Sequence, residues 1–180
     1  MQNEVQIKDK IFEKFITEEV IAKRVKDIAE EIKSLEMSHD LIFICILNGS
    51  FIFAAELFKR FNVETKISFV KLLSYSGTSS TGKVINSIGL DISVKDKNII
   101  IIEDIVETGH TLRHFIDTLK EQNPNFIKVC ALLYKPDCLK HPEINIDFLG
   151  FEIPNDFVVG YGLDYDGFGR NLPDIYKLKE

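Results

Sequence analysis

The apolar positions of this chain follow two patterns, and each pattern predicts a different kind of element. Over residues 17–36 the apolar residues recur at intervals of three and four, which predicts a helix with one buried face. Two runs, 41–47 and 99–102, are apolar throughout, as is typical of strands covered on both faces. Further predicted elements are strands over 63–73, 84–90 and 126–134 and helices over 51–61 and 112–122. Because strands and helices alternate, the pattern predicts an α/β fold with a parallel central sheet.

The segment IIIIEDIVETGHTL, residues 99–112, carries the most chemical information. Glu103 and Asp104 follow a buried strand, at the end where ligands bind in open α/β sheets. Ribose hydroxyls are natural partners for such carboxylates, which would repel a phosphate. The next residues can wrap backbone N–H groups around a phosphate; they are Glu107, Thr108, Gly109, His110 and Thr111. The segment therefore predicts a ribose 5-phosphate site, and the alternative is an ordinary strand, loop and helix whose acids cap the turn.

Composition and charge exclude several classes of function. A chain of 180 residues with 45% hydrophobic content fits one domain with a buried core. The net charge of -6 argues against broad electrostatic binding to nucleic acid. No apolar run approaches the roughly 20 residues that a membrane span needs. The first residues are polar and lack the pattern of a secretory signal, so we expect a cytoplasmic protein with no membrane partner.

Residues 99–112 resemble the phosphoribosyl pyrophosphate motif of the type I phosphoribosyltransferases: a hydrophobic strand, two acids, two apolar residues, Asp, Thr or Ser, Gly, any residue and Thr. The chain departs from this motif at Glu107, where purine-salvage members usually have Asp. Other segments resemble the hypoxanthine-guanine members of the family in the same order along the chain: 47–57, Ser74-Tyr75, LLYKPD around Lys135, and 157–170. The resemblance implies one phosphoribosyltransferase domain over residues 1–180, with a parallel sheet flanked by helices and a small purine-binding hood formed mainly by residues 135–180.

The resemblance also implies an activity. Such an enzyme transfers the 5-phosphoribosyl group from phosphoribosyl pyrophosphate to N9 of hypoxanthine, and of guanine, which yields inosine or guanosine monophosphate and pyrophosphate. Positive charge grows on the sugar during this step, so the leaving pyrophosphate must be neutralised and water must be kept away. The implied cofactor is Mg²⁺, and the implied assembly is a homodimer or homotetramer.

Residues on the sugar and phosphate side take these implied roles. Glu103 and Asp104 hold the ribose hydroxyls directly or through Mg²⁺, and Asp164 is a further metal ligand. Thr108, Gly109, His110 and Thr111 cradle the 5-phosphate. Pyrophosphate contacts come from Arg170 and from the loop Leu47, Asn48 and Gly49, where the family has a cis peptide between the first two positions. Ser74 and Tyr75 begin a loop that closes over the reaction.

Residues on the base side are implied to select and activate the purine. Glu107 occupies the place of the general base near purine N7, where its extra methylene requires the carboxylate to fold back; the alternative is that it is only a polar turn residue. Lys135 donates to the 6-oxo group, which would penalise adenine. Phe157 stacks on the base, and the backbone of Val158 meets its edge. Taken alone, Lys135 before a proline is also typical of a solvated strand exit, and Phe157 of a core strand.

Two other functions remain open at this point. A regulator could have kept the fold as a phosphoribosyl pyrophosphate sensor, although it should then show a basic nucleic-acid face and a damaged base pocket. Alternatively, the enzyme could prefer xanthine, because part of the base edge is recognised through backbone groups near Val158.

Overall fold

The computed structural model describes residues 3–35, 40–62, 64–72, 86–87 and 90–179. In that part of the chain the helices and strands are β1 (Glu4–Ile7), β2 (Lys10–Ile16), α1 (Glu18–Lys33), β3 (Leu41–Leu47), α2 (Phe51–Phe58), β4 (Lys66–Leu72), β5 (Asn86–Ser87), β6 (Asn98–Val106), α3 (His110–Lys120), β7 (Phe126–Tyr134), β8 (Phe148–Glu152), β9 (Val158–Val159) and β10 (Ile175–Leu178). A 3-10 helix, Pro136–Cys138, follows β7. None of these helices is both long and apolar enough to cross a membrane.

The larger sheet has the strand order β5-β4-β3-β6-β7-β8. Its neighbouring strands from β4 to β8 pair in parallel, and only β5 pairs antiparallel. The predicted parallel α/β sheet is therefore confirmed. The bounds of β3 and of β7 agree with the prediction. β3 is a continuous apolar run between polar residues, and β7 is apolar except for Lys128. Of the strand predicted over 84–90, the described part contains β5.

Alternate residues of the central strands enter two separate cores. Phe43 and Cys45 of β3 face the core that α1 and α2 cover, together with Ile100 and Ile102 of β6. The intervening isoleucines face a second core that α3 covers; they are Ile42, Ile44, Ile46, Ile99 and Ile101. Because both faces of the sheet are buried, these strands show no polar alternation.

The helix ends follow from local capping. The Thr17 hydroxyl accepts a hydrogen bond from Val20 N at 3.4 Å, which caps α1. α3 begins at His110, two residues before the predicted start. His110, in the first turn, is exposed and polar, so the repeating apolar positions of the helix begin only at Leu112. The prediction therefore began the helix there. Gly109 precedes the helix with φ +76°, a backbone conformation that favours glycine.

A smaller antiparallel sheet has the order β1-β2-β10-β9. It joins the amino-terminal hairpin to the last strands of the chain, so two of its four strands come from outside residues 135–180. Phe12 and Val159 form the centre of its core and are fully buried. The hood predicted over residues 135–180 thus packs on a hairpin that the pattern of the tail alone did not indicate.

Asp174 joins this smaller sheet to the start of α1. Its carboxylate accepts hydrogen bonds from Glu18 N at 2.8 Å and from the Tyr176 hydroxyl at 3.1 Å, and it lies 2.6 Å from Lys14 Nζ. Burial by itself would raise the pKa of Asp174, but the bonds from Lys14, Glu18 and Tyr176 bring it below its ordinary value of 3.8. The folded state therefore binds this proton more weakly than the unfolded state does.

We predict that Asp174→Asn lowers the free energy of unfolding by about 2 kcal/mol at neutral pH, because a buried charged acceptor is lost. A carboxylate with a lowered pKa stabilises the fold above its unfolded pKa, and this stability is lost as the pH falls through the folded pKa. The difference between the two proteins should therefore shrink as the pH falls from 7 towards about 3. Urea unfolding at several pH values measures this. Asp27→Asn, at an exposed position of α1, is the control and should change stability by less than about 0.5 kcal/mol. A deficit that stays constant with pH would contradict the prediction.

Candidate active site

An open cavity of about 260 Å³ lies at the carboxyl edge of the larger sheet, where β6 turns into α3. Its walls are Ile46 and Leu72 from the neighbouring strands, Glu103 and residues 105–112. Parallel strands end together at this edge, so groups from several strands meet there. The cavity coincides with the position that residues 99–112 predicted for a ribose 5-phosphate.

The turn from Thr108 to Thr111 forms one end of this cavity. Gly109 caps α3 without a side-chain hydrogen bond, and His110 N donates to Thr108 Oγ1 at 3.4 Å. The amino end of a helix favours an anion, because its other first N–H groups have no partner within the helix. A Cβ atom at Gly109 would lie 2.7 Å from Ile144 Cδ1 and 3.1 Å from Leu139 Cδ1. Both the positive φ and this close packing therefore require glycine here.

Glu103 and Asp104 form a partly buried carboxylate pair on β6. Burial, and then the charge of Asp104, raise the pKa of Glu103 well above its ordinary value. Burial also raises the pKa of Asp104, against the opposing effects of a hydrogen bond from Ile105 N at 2.8 Å and of the Arg170 charge. A cation or a hydrogen-bond donor next to this pair would stabilise its charged form.

Asp104 is fixed by the close approach of two glycines. A Cβ atom at Gly49 would lie 1.4 Å from Asp104 Oδ2, so the loop after β3 packs directly against this carboxylate. A Cβ atom at Gly162 would in turn lie 2.0 Å from Gly49 O, and Gly162 has φ +104°. Three distant chain segments therefore meet at Asp104, with no space for side chains between them. The peptide bond between Leu47 and Asn48 is cis, as the resemblance implied.

Arg170 and Asp164 form an ion pair beside these loops. Arg170 Nη2 lies 2.6 Å from Asp164 Oδ1, and Arg170 Nη1 donates to Gly162 O at 2.6 Å. Asp164 Oδ2 accepts from Gly167 N, also at 2.6 Å. The charge of Arg170 acts to lower the pKa of Asp104. Within the described residues, Asp164 does not come together with Glu103 and Asp104 as a group of three acids that could hold a metal ion.

Lys135 and Glu107 form a second ion pair, and Glu107 lines the cavity. Lys135 is only 4% exposed, and its Nζ donates to Glu107 Oε1. Lys135 N also donates to Val106 O at 3.0 Å, which anchors the backbone next to the cavity. Lys135 is therefore not a solvated strand exit. Sequence patterns placed both residues at the site but did not indicate that they pair, because Glu107 and Lys135 are 28 positions apart.

Phe157 and Val158 lie at the start of the β9 region of the smaller sheet. Val158 is buried, whereas the Phe157 side chain is 45% exposed. The ring of Phe157 contacts Phe12 at 6.1 Å and Tyr165 at 5.8 Å between centroids. An aromatic face is thus held at the surface by rigid neighbours, although it is not among the cavity-lining residues. Ser74 and Tyr75 lie outside the described residues.

Comparison with known proteins places the chain in a family. A family model described as a phosphoribosyl transferase domain matches residues 15–166. The chain belongs to this family. Its relatives include the hypoxanthine phosphoribosyltransferase of Buchnera aphidicola subsp. Schizaphis graminum, which is 42% identical over 166 residues, or 91% of this chain and 93% of the relative. The hypoxanthine-guanine phosphoribosyltransferase of Aquifex aeolicus is 35% identical over 177 residues, or 97% of this chain and 99% of the relative.

Solved structures of this phosphoribosyltransferase family have the same architecture. A hypoxanthine-guanine phosphoribosyltransferase from Bacillus anthracis superposes with a TM-score of 0.87 and 34% identity, covering 95% of this chain and 99% of its own. The predicted family, fold class and purine-salvage enzyme class are confirmed by these matches. The roles of individual residues stay predictions.

We predict that Gly49→Ala lowers kcat/KM of this phosphoribosyltransferase by about a hundredfold, because the added methyl displaces Asp104 and misplaces the groups around it. Steady-state assays with both substrates measure the loss. Gly167→Ala is the matched control: its φ is also positive, at +85°, but nothing lies within 4 Å of its added Cβ. Equal losses in both variants would show that general loop strain, and not the contact with Asp104, is responsible.

Proposed function

We propose that this chain transfers the 5-phosphoribosyl group from phosphoribosyl pyrophosphate to N9 of hypoxanthine, and of guanine, and releases pyrophosphate. One observation carries the proposal: the anion-binding turn, Glu103 of the carboxylate pair and Glu107, the partner of Lys135, all line one cavity. The three parts match the three parts of the product, which are phosphate, ribose and base. No single part would specify a nucleotide.

The 5-phosphate fits the turn from Thr108 to Thr111. Backbone N–H groups and the amino end of α3 supply partial positive charge there, so an acidic protein can still bind an anion locally. The ribose hydroxyls then lie towards Glu103 and Asp104. Because carboxylates accept hydrogen bonds and phosphates cannot donate them when ionised, this orientation is favoured over the reverse one.

The carboxylate pair also suits Mg²⁺. Hard oxygen ligands are what this ion prefers, and Glu103 with Asp104 offers two carboxylates whose burial and mutual repulsion a cation would relieve. When bound, Mg²⁺ would neutralise charge on the departing pyrophosphate. Asp164 is placed as an outer partner because its carboxylate is already bonded to Arg170. Arg170 itself offers a donor group for pyrophosphate oxygens.

The purine is selected by Lys135 and activated by Glu107. Without a base these two side chains satisfy each other. An incoming 6-oxopurine offers Lys135 a carbonyl acceptor and leaves the Glu107 carboxylate to accept a proton from the imidazole ring of the base. Adenine has an amino donor at position 6, so it would leave the buried Lys135 ammonium unpaired. Glu107 is one methylene longer than the aspartate of the family motif, which lengthens its reach towards Lys135.

Two observations favour the enzyme over the sensor alternative. A sensor has no need of a purine pocket, yet the buried Lys135 and its partner Glu107 are intact at the cavity. A regulator of RNA or DNA should also present a basic face, whereas the net charge is -6. The cytoplasmic location and the homodimeric or homotetrameric state stay predictions that rest on the sequence and the resemblance.

A four-base assay tests this function. We expect nucleotide formation from phosphoribosyl pyrophosphate and Mg²⁺ with hypoxanthine or guanine, and none with adenine, because only 6-oxopurines pair with Lys135. Xanthine is the fourth base, and a higher kcat/KM for it than for hypoxanthine would establish the xanthine-preferring alternative. No product with any base, with binding of phosphoribosyl pyrophosphate intact by calorimetry, would refute the enzyme and support the sensor.

The role of Glu107 has its own test. We predict that Glu107→Gln lowers kcat by about a hundredfold or more, because the amide cannot accept the purine proton. Glu107→Asp is the matched control, since it keeps the carboxylate and restores the family residue, and it should retain most of the activity. If Glu107→Gln turns over as fast as the unmodified chain, Glu107 serves only as the partner of Lys135 and is not the base.

A further inference from the structure

A loop outside the sequence motif supports the phosphate-binding turn. Residues 139–144, here called the support loop, lie between the 3-10 helix and β8. Lys140 N donates to Thr108 O at 3.1 Å, which joins the two backbones directly. Leu139 and Ile144 of the loop pack against Gly109. The position of the turn therefore depends on a segment about thirty residues further along the chain.

A chain of polar side chains runs from the support loop to the cavity. His110 lines the cavity, and its Nδ1 lies 3.3 Å from His141 Nε2. His141 Nδ1 lies 3.3 Å from Glu143 Oε1. Arg113, one turn further along α3, binds the same Glu143 oxygen through Nη1 and Asp117 through Nε at 2.8 Å. Glu143 is thus held in place from two sides.

The order of donors and acceptors in this chain follows from the carboxylate. The pKa of Glu143 is lowered, first by its own backbone N–H and then by His141 and Arg113, so it accepts and does not donate. His141 must then carry its hydrogen on Nδ1, which leaves Nε2 as an acceptor in the neutral ring. His110 in turn donates from Nδ1, and its Nε2 is the nitrogen that remains for a ligand.

We propose that His141 and Glu143 are positioning residues that hold His110 with its Nε2 towards the 5-phosphate. This rests on the proposed function, because it assigns the bound anion to that phosphate. With Nδ1 engaged by His141, a proton on Nε2 would let the His110 ring donate a charge-assisted hydrogen bond to a phosphate oxygen, in addition to the bonds from the backbone. Neither His141 nor Glu143 touches the ligand.

Charged and titratable side chains lie on all the segments around His110. On its own helix, on the support loop and at the end of β6 they are Arg113, His114, Asp117, Lys140, His141, Glu143 and Glu107. Arg113 is already paired with Glu143 and Asp117, and Glu107 with Lys135. The ring also lies at the positive end of α3, which favours a bound phosphate.

Calorimetric titration with ribose 5-phosphate, at about pH 6 and about pH 8.5, tests this proposal without requiring turnover. We expect His141→Ala and Glu143→Gln each to weaken binding by about threefold to fivefold at the lower pH, and by much less at the higher pH, where the imidazolium is lost. The double variant His110→Ala/His141→Ala should bind no more weakly than His110→Ala alone, since both changes remove one interaction.

His114→Ala is the matched control, because it removes another imidazole from α3 and should leave ribose 5-phosphate binding unchanged at both pH values. Additive losses in the double variant, or losses that are equal at both pH values, would overturn the proposal and leave His141 a merely structural residue. So would unchanged binding in both single variants. If the unmodified chain does not bind ribose 5-phosphate at all, the proposed function itself fails. Failure of the proposed function is thus distinguishable from failure of the positioning role, in which the unmodified chain still binds.

Discussion

Two adjacent, partly buried carboxylates on β6 impose the strongest constraint on this structure. Burial raises the pKa of Glu103 and of Asp104, so a cation or a hydrogen-bond donor stabilises their charged forms. Gly49 packs against Asp104 and Gly162 packs against Gly49, and neither glycine has room for a Cβ atom. The site is thus built by backbone contacts, which are less adaptable than contacts between long side chains.

The charged groups of the described site pair with one another. Lys135 bonds Glu107, Arg170 bonds Asp164, and Arg113 bonds Glu143. In the proposed function, Lys135 and Arg170 turn from these partners to substrate groups, and the pair with Glu107 keeps the buried Lys135 from lacking a partner. This arrangement reconciles an acidic chain with an anionic substrate, because binding exchanges internal partners for substrate groups and does not depend on net charge.

Much of the fold could be predicted from local patterns, whereas the relations between distant segments could not. The largely apolar composition of β3 and β7 predicted both strands to the residue, and in β3 it reflects burial on both faces. The start of α3 was predicted two residues late because its first turn is exposed and carries no apolar signal. The contribution of β1 and β2 to the smaller sheet, and the contact of His141 with His110, depend on long-range packing that no spacing encodes. For the contact between His110 and His141, the sequence offered no sign beyond the presence of a histidine at position 141.

The central claim is that one cavity accommodates phosphate, ribose and base in a fixed order. A crystal structure with phosphoribosyl pyrophosphate and Mg²⁺ tests it most directly. The account predicts the 5-phosphate against the backbone of residues 108–111, the ribose hydroxyls towards Glu103 and Asp104, and the sugar C1 facing Glu107 and Lys135. A ligand bound with its pyrophosphate in the turn at residues 108–111, or at another surface of the chain, would contradict it.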